Sequence, residues 1–211
     1  MNSVLIVTDH PIVRRRLREI LKDENDLVVT EISNANEALA LIKQQQFDIV
    51  ILDLELPGMN GLELLNTIKR EHKELRVLVL SVSPEDQFAV RALRAGVAGL
   101  ISKETIPEQL VATIRKILSE GKHISERTAD LLAPRSRDRD VRQLHEKLSD
   151  REFQILCRFG EGKTVKQIAE ALSLRAPTVS TYRARILDKM DMRTTAQLVR
   201  YAIQHGLAKP K

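Results

Sequence analysis

A run of branched aliphatic residues from Ile49 to Leu52 constrains the fold of this chain more than any other stretch. Because no polar residue interrupts it, the run predicts a strand that is buried on both faces, as in parallel sheets covered by helices. The run ends in Asp53, and Pro57-Gly58 predict a turn before the next helix. Ligands of open α/β sheets bind at the carboxyl ends of the strands, so Asp53 is a candidate for chemistry.

Strand and helix patterns alternate through the first 121 residues. The predicted strands are Val4–Val7, Leu27–Ile32, Ile49–Leu52, Arg76–Ser81 and Ala98–Ile101. The predicted helices are Pro11–Lys22, Ala35–Gln45, Gly61–His72, Pro84–Ala95 and Pro107–Leu118. Five such units predict an α/β domain with a doubly wound, parallel, five-stranded sheet of strand order 2-1-3-4-5, the flavodoxin-like arrangement.

The pattern changes after Gly121. Ile124–Ala133 predicts one short helix, and residues 134–140 contain almost no apolar side chain, which indicates a linker. From Leu144 onwards only helical patterns remain. We therefore predict an α/β domain over 1–121, a short helix and linker over 122–143, and an all-α domain over 144–211.

Charge is divided unevenly between these segments. Residues 1–133 carry 17 basic and 20 acidic side chains, a net charge of −3, whereas residues 144–211 carry 13 and 7, a net charge of +6. A basic C-terminal domain suggests a polyanionic ligand. The single cysteine, Cys157, excludes an internal disulfide and is expected in the core. No membrane-spanning run or signal peptide is evident, so we expect a cytoplasmic protein with no membrane partner.

Three polar residues at the ends of other strands should converge on Asp53. Asp9 follows the first strand, Ser81 ends the fourth and Lys103 follows the fifth. Mg²⁺ prefers oxygen ligands and retains several waters, so Asp9, Asp53 and the backbone carbonyl of Glu55 could hold it. The metal and Lys103 would neutralise charge on a phosphoryl group attacked by Asp53, and Ser81 could donate to that group. Alone, Asp53 could cap a loop and Lys103 could be a surface lysine, but their convergence favours a site.

Residues 1–121 resemble the receiver domain of two-component response regulators. The resemblance lies in two motifs, Val7–Pro11 and Leu52–Gly61. It implies that a sensor histidine kinase phosphorylates Asp53, and that Ser81 and Lys103 are the switch hydroxyl and the switch lysine.

Two positions depart from the pattern of that family. Where receivers usually have two adjacent acids after the first strand, this chain has Thr8-Asp9, which predicts weaker magnesium binding. Leu100 stands three residues before Lys103, where an aromatic ring that moves with the switch is usual. A regulator whose receiver works without phosphorylation therefore remains an alternative.

The C-terminal domain carries the pattern of a helix-turn-helix. Capping boxes at Ser149/Glu152 and Thr164/Gln167 predict the starts of the first two helices, which end at Phe159 and Leu172. Pro177–Met190 and Thr194–His205 are the other predicted helices. Two short helices joined by a tight turn, the second rich in Ser, Thr and Arg, are typical of DNA binding.

The second helix of this pair has a buried stripe and an opposite polar face. Val179, Ile186 and Leu187 form the predicted stripe. The short side chains of Ser180, Thr181 and Ala184 would let the opposite face enter the major groove and contact bases, with Arg183 and Arg185 alongside. Expected phosphate contacts are Lys166, Thr178, Tyr182, Arg185 and Lys189. The alternative is an amphipathic helix of a bundle with a solvated basic face.

Residues 145–207 resemble the LuxR-type output domain of the NarL/FixJ subfamily. The resemblance lies in Leu148–Glu152, Glu161–Ala169 and Thr178–Leu187. It implies homodimers on paired DNA half-sites, with Leu198 and Tyr201 of the last helix as expected contacts. Arg175 replaces the usual Ser or Thr cap, which costs about 1 kcal/mol.

The sequence therefore predicts a DNA-binding transcriptional response regulator, controlled by phosphorylation of Asp53, and not an enzyme. Two alternatives belong to other classes. Asp53-Leu54-Glu55 after a strand would suit an aspartyl-phosphate phosphohydrolase, but no cap or substrate-pocket segment accompanies it. A flavin-binding module of the same fold would need glycines and hydroxyls where this chain has Asp9.

Overall fold

The computed structural model describes residues 1–56, 59–81, 87–124 and 144–208. The chain divides into two compact units, Met1–Ala133 and Pro134–Lys211. The predicted turn at Pro57-Gly58 lies outside the described residues, as do the predicted linker and all but the first residue of the predicted short helix.

Five parallel strands form one sheet in the N-terminal unit, in the order β2-β1-β3-β4-β5. The strands are β1 (Asn2–Val7), β2 (Leu27–Ile32), β3 (Ile49–Asp53), β4 (Arg76–Ser81) and β5 (Gly99–Ser102). The predicted sheet and its strand order are confirmed. β5 begins one residue later than predicted, because Ala98 donates to the carbonyl of Val77 before the first Cα pairing, Leu78 with Gly99.

Five helices cover this sheet. They are α1 (Pro11–Leu21), α2 (Ala35–Gln44), α3 (Gly61–Glu71), α4 (Gln87–Arg94) and α5 (Ile106–Glu120). Their bounds lie within two residues of the prediction except for the start of α4, because the predicted start at Pro84 falls among residues 82–86, outside the described residues.

Both faces of the sheet are buried, as the uninterrupted apolar strands require. Leu5, Val50 and Val77 belong to one apolar cluster with side chains of α2, α3 and α4. Ile6 and Ile51 belong to a second cluster with side chains of α1 and α5. Because the strands are parallel, their carboxyl ends, including that of β3, meet at one edge.

Gly61 lets α3 begin directly against the end of β3. A Cβ atom at this position would lie 2.5 Å from the Cα of Leu54 and 2.7 Å from the carbonyl oxygen of Asp53. The N-cap of α3, Asn60, is buried and forms a capping box with Glu63. Close packing therefore requires glycine at the end of the 52–61 motif, and this packing fixes the backbone beside Asp53.

The C-terminal unit is helical. A short 3-10 helix (Leu144–Lys147) precedes α6 (Asp150–Gly160), α7 (Val165–Ala171), α8 (Ala176–Lys189) and α9 (Thr195–Gln204). Both predicted capping boxes are confirmed, and Arg175 makes no side-chain cap on α8, as expected. Cys157 is buried in α6. In the described part of the chain, no helix combines the length and apolar character needed to cross a membrane.

Candidate functional sites

Asp53 is a buried carboxylate with a full set of partners. It is the last residue of β3, and only 1% of its side chain is exposed. The Lys103 ammonium lies 2.9 Å from Oδ1, and the backbone N–H of Glu55 donates to the same oxygen at 3.0 Å. The Thr8 hydroxyl donates to Oδ2 at 2.9 Å. Burying an ionised carboxylate is costly unless it is paired and hydrogen-bonded, and these three contacts meet that requirement.

Lys103 is shared between two carboxylates. Its Nζ lies 3.2 Å from Oε2 of Glu55 in addition to its contact with Asp53, and 15% of its side chain is exposed. Burial lowers the pKa of Lys103, but the charges of Asp53 and Glu55 outweigh burial and hold that pKa above its ordinary value of 10.5. A fixed ammonium therefore stands beside Asp53.

Ser81 and Asp9 lie at the same edge of the sheet. Ser81 is buried, and it follows Leu80, which pairs with Asp53 across the β3–β4 ladder. Its carbonyl accepts the backbone N–H of Lys103 at 2.8 Å, which joins the ends of β4 and β5. Asp9 follows the buried Thr8 and is half-buried. The structure thus brings the strand-end residues of the predicted pocket to one edge.

The oxygen atoms at this edge of the sheet could bind a hard cation only if water molecules completed its coordination shell. Among the described residues, no three acidic, His or Cys side chains form a metal-binding group. Asp9, Asp53 and the Glu55 carbonyl provide oxygen donors, and each carboxylate oxygen of Asp53 has more than one lone pair. Such a set suits Mg²⁺, which retains several waters.

Thr8 is the contact that sequence reasoning missed. The family pattern marks position 8 only as the place of an absent acid, yet the Thr8 hydroxyl donates to Asp53 and also accepts the backbone N–H of His10 at 3.3 Å. The signal was present, because β1 and β3 are neighbours and Val7 pairs with Leu52. The next residues along the two strands, Thr8 and Asp53, must therefore lie side by side. The contact of the Glu55 side chain with Lys103 was also missed.

α8 presents the predicted polar face to solvent. Ser180, Thr181 and Ala184 are exposed, whereas Val179 and Ile186 are buried and Leu187 is half-buried. The Thr181 hydroxyl donates to the carbonyl of Pro177 at 3.0 Å, which orients its methyl group and its remaining lone pairs. The predicted stripe and the opposite face are therefore separated as expected.

The cations predicted around this face differ in their contacts. Arg185 is exposed, with its guanidinium 5.9 Å from the Tyr182 ring centroid. Arg183 donates to the Thr195 hydroxyl at 3.3 Å, linking α8 to α9. Lys166 is exposed in the first turn of α7, and Thr178 is half-buried.

Lys189, the last residue of α8, has a partner inside the protein. Its Nζ lies 2.6 Å from Oε2 of Glu152, the capping-box residue of α6, and Glu152 is only 4% exposed against 40% for Lys189. Burial raises the pKa of Glu152, but Lys189 and the hydrogen bonds with Ser149 outweigh burial and hold that pKa below its ordinary value of 4.5. No pattern in the sequence pointed to this pair, which joins residues 37 apart.

The expected dimer contacts on α9 need correction. Leu198 is fully buried and Tyr201 is 8% exposed within their own unit. The Tyr201 hydroxyl lies 3.0 Å from Nδ1 of His145, and its ring stacks on that of His205 with centroids 3.9 Å apart. Both side chains therefore build the core, and Ile203 is the large apolar residue of α9 that is exposed.

Comparison with known families matches both units. Residues 4–115 match the response regulator receiver domain, and residues 146–202 match the bacterial regulatory proteins of the luxR family. Response regulator UvrY of Escherichia coli K12 is 32% identical over 98% of this chain and 96% of its own length. Response regulator GacA of Pseudomonas aeruginosa is 32% identical over 98% of both chains.

A solved structure of another response regulator also resembles this chain over most of its length. The response regulator RcsB of Salmonella typhimurium, studied for its interaction with DNA, is 25% identical and covers 95% of this chain and 98% of its own, with a TM-score of 0.59. The receiver-like sheet followed by a helical domain is therefore the architecture of a known group of two-domain proteins.

Proposed function

This chain belongs to the response regulators that join a receiver domain to a LuxR-type DNA-binding domain, and we propose that phosphorylation of Asp53 controls its binding to DNA. The protein is a DNA-binding transcriptional regulator. The observation that carries the proposal is the buried Asp53–Lys103 pair at the carboxyl end of the central strand. We propose a sensor histidine kinase as the phosphoryl donor, and the cytoplasm, where such a donor and the DNA are present, as the compartment.

The proposed phosphoryl transfer gives a role to each of the polar residues of this pocket. A carboxylate oxygen of Asp53 attacks phosphorus, the bond from phosphorus to the donor nitrogen breaks, and an acyl phosphate forms on Asp53. Lys103 offsets the charge on the transferred group, and the Ser81 hydroxyl donates to one of its oxygens. Asp9, Asp53 and the Glu55 carbonyl would hold Mg²⁺, which adds further neutralisation when bound.

The exposed face of α8 supports sequence-specific DNA recognition. Ser180, Thr181 and Ala184 are short enough to let the helix approach base edges, and Arg183 lies beside them. We assign phosphate contacts to Lys166, Thr178, Tyr182 and Arg185, at the margins of that face. Lys189, which engages Glu152, is considered below.

We propose that two copies bind paired half-sites on DNA. A structure of two RcsB dimers bound to two parallel DNAs, 25% identical to this chain with a TM-score of 0.58, supports this arrangement. Symmetric half-sites match the two-fold symmetry of a dimer.

Intact mass after exposure to a small phosphodonor, with and without magnesium, tests the proposal. We expect a gain of one phosphoryl group that requires both the metal and Asp53, with Asp53→Asn as the control. Absence of any gain under all conditions would contradict it. Sustained release of phosphate over many turnovers would instead indicate a phosphohydrolase.

One observation favours a second candidate, a regulator that binds DNA without phosphoryl control. Thr8 and Lys103 together satisfy both oxygens of Asp53 with protein groups alone. Equal DNA affinity of the wild-type protein and Asp53→Asn, before and after exposure to the phosphodonor, would favour this candidate.

A further inference from the structure

Arg151, near the start of α6, holds the turn that leads into α8. Its side chain is buried, and Nη2 donates to the carbonyl of Leu172, the C-cap residue of α7, at 3.2 Å. Nη1 donates to Gln154 at 2.6 Å. A cation at the carbonyl end of a helix is favourable, and Ser173 then turns the chain with a φ of 53°. Arg175 provides no side-chain cap on α8, and the contact of Arg151 with Leu172 constrains the turn that leads into α8.

Glu152, the next residue of α6, holds the other end of α8. Its Oε2 accepts the backbone N–H of Ser149 at 2.8 Å and the ammonium of Lys189 at 2.6 Å. If Lys189 turned away towards a DNA phosphate, the nearly buried carboxylate of Glu152 would lose the cation that is paired with it, which is costly. The position of Lys189 is therefore tied to α6.

We propose that Arg151 and Glu152 are positioning residues which fix the direction of α8, and that Lys189 sets base specificity through Glu152 rather than by contacting phosphate. This inference rests on the DNA-binding function. The apolar contacts of Val179 and Ile186 hold α8 against the core. The hydrogen bonds of Arg151 before the start of α8 and of Glu152 at its end are charge-assisted and have narrow geometry, so they constrain the direction of α8 further.

A phosphate contact and a positioning contact of Lys189 would change the salt dependence of DNA affinity in different ways. A phosphate contact contributes about one unit to the slope of log K against log salt, and its loss weakens binding to every duplex alike. A positioning contact contributes nothing to the slope, but its loss reduces the preference for the correct bases. Arg185 is exposed on the same helix and is assigned a phosphate contact, so it is the residue with which Lys189 is compared.

The test compares full-length variants on two duplexes, one selected from a random library by the wild-type protein and one with that sequence shuffled. For Lys189→Gln we expect the ratio of the two affinities to fall about tenfold with an unchanged salt slope. For Arg185→Gln we expect a slope lower by about one and an unchanged ratio. Arg151→Lys, which shortens the reach to Leu172, should lower the ratio without changing the slope.

The double variant Glu152→Gln/Lys189→Gln separates the explanations further. It replaces the ion pair with two neutral side chains that can hydrogen-bond, so most of the ratio lost in Lys189→Gln should return although the positive charge is still absent. Thermal melts confirm that each variant is folded at the assay temperature. The inference would be overturned if Lys189→Gln lowered the salt slope by about one. It would also be overturned if the affinity ratio did not recover in the double variant. If the wild-type protein selects no duplex at all, the DNA-binding function itself fails, which is a different result.

Discussion

The receiver unit and the DNA-binding unit each contain a lysine paired with a nearly buried carboxylate, but the two pairs stand in different surroundings. Asp53 lies at the end of a strand, where Thr8 and the backbone N–H of Glu55 also bond to it. Glu152 lies in the first turn of a helix, where its second partner is the N-cap backbone. The first pair leaves 15% of its lysine exposed and the second leaves 40%.

This difference separates a site that can accept a ligand from a contact that joins two helices. At Asp53 we propose that Asp9, Ser81 and the carbonyl of Glu55, which lie at the same edge of the sheet, provide partners for a phosphoryl group and a cation. At Glu152 both contacts are used to hold protein segments together. In the functions that we propose, the same pair of side-chain types therefore takes part in chemistry in one unit and positions a helix in the other.

Breaking the Asp53–Lys103 pair should have the largest effect on stability. Lys103→Met removes the cation and leaves a buried carboxylate with hydrogen bonds alone, so we expect the free energy of unfolding of the receiver unit to fall by about 3 kcal/mol. Phosphorylation by a small donor should also be lost, because the transferred group has lost its fixed counter-charge. Denaturant unfolding and intact mass measure the two effects. Full stability together with full phosphorylation would contradict the role given to Lys103.

Breaking the Glu152–Lys189 pair should lower the free energy of unfolding by a smaller amount. Glu152→Ala removes the ion pair with the partly exposed Lys189 and half of a capping box, together about 2 kcal/mol. Glu152→Gln is the matched control, because it keeps an acceptor for the Ser149 N–H and should cost about half as much. Chemical denaturation of both variants gives the comparison. Equal losses would mean that the capping hydrogen bond contributes nothing to stability, and no loss in Glu152→Gln would mean that the ion pair with Lys189 contributes nothing.

The contrast between the two units also explains what the sequence could predict. The strand order and the convergence at Asp53 follow from apolar runs and from a carboxylate at a strand end, which are local patterns. The stripe and the polar face of α8 follow from a helical period. The pairing of Glu152 with Lys189, and of Arg151 with Leu172, depends on how the helices pack. The positions of charged residues in an amphipathic pattern do not indicate which residues they contact. The resemblance to the LuxR-type domain implies a dimer contact at Leu198, whereas packing within the unit buries this residue.

Thr8 offers a way to sharpen the account of the receiver pocket. Thr8→Asp replaces a hydroxyl that donates to Asp53 with a carboxylate that repels it, so we expect magnesium affinity to rise about tenfold, equivalent to about 1.4 kcal/mol. Calorimetric titration with magnesium measures this without any phosphoryl donor. The variant should also be less stable in a metal chelator and regain stability when magnesium is added. Unaltered or weaker magnesium binding would contradict the pocket geometry, and Thr8→Val, which lacks both the donor and the charge, is the control.

The two pairs should respond to pH in opposite directions, with modest effects. The pKa of Lys103 is raised, so its pair contributes stability below the ordinary lysine pKa of 10.5 and loses it as pH rises through the higher folded value. The pKa of Glu152 is lowered, so its pair contributes stability above the ordinary value of 4.5 and loses it as pH falls through the lower folded value. Unfolding curves across pH should therefore show the alkaline dependence flattened by Lys103→Met and the acid dependence flattened by Glu152→Gln. If each substitution flattened both limbs equally, the two pairs would not be independent, and the assignment of one to each unit would be wrong.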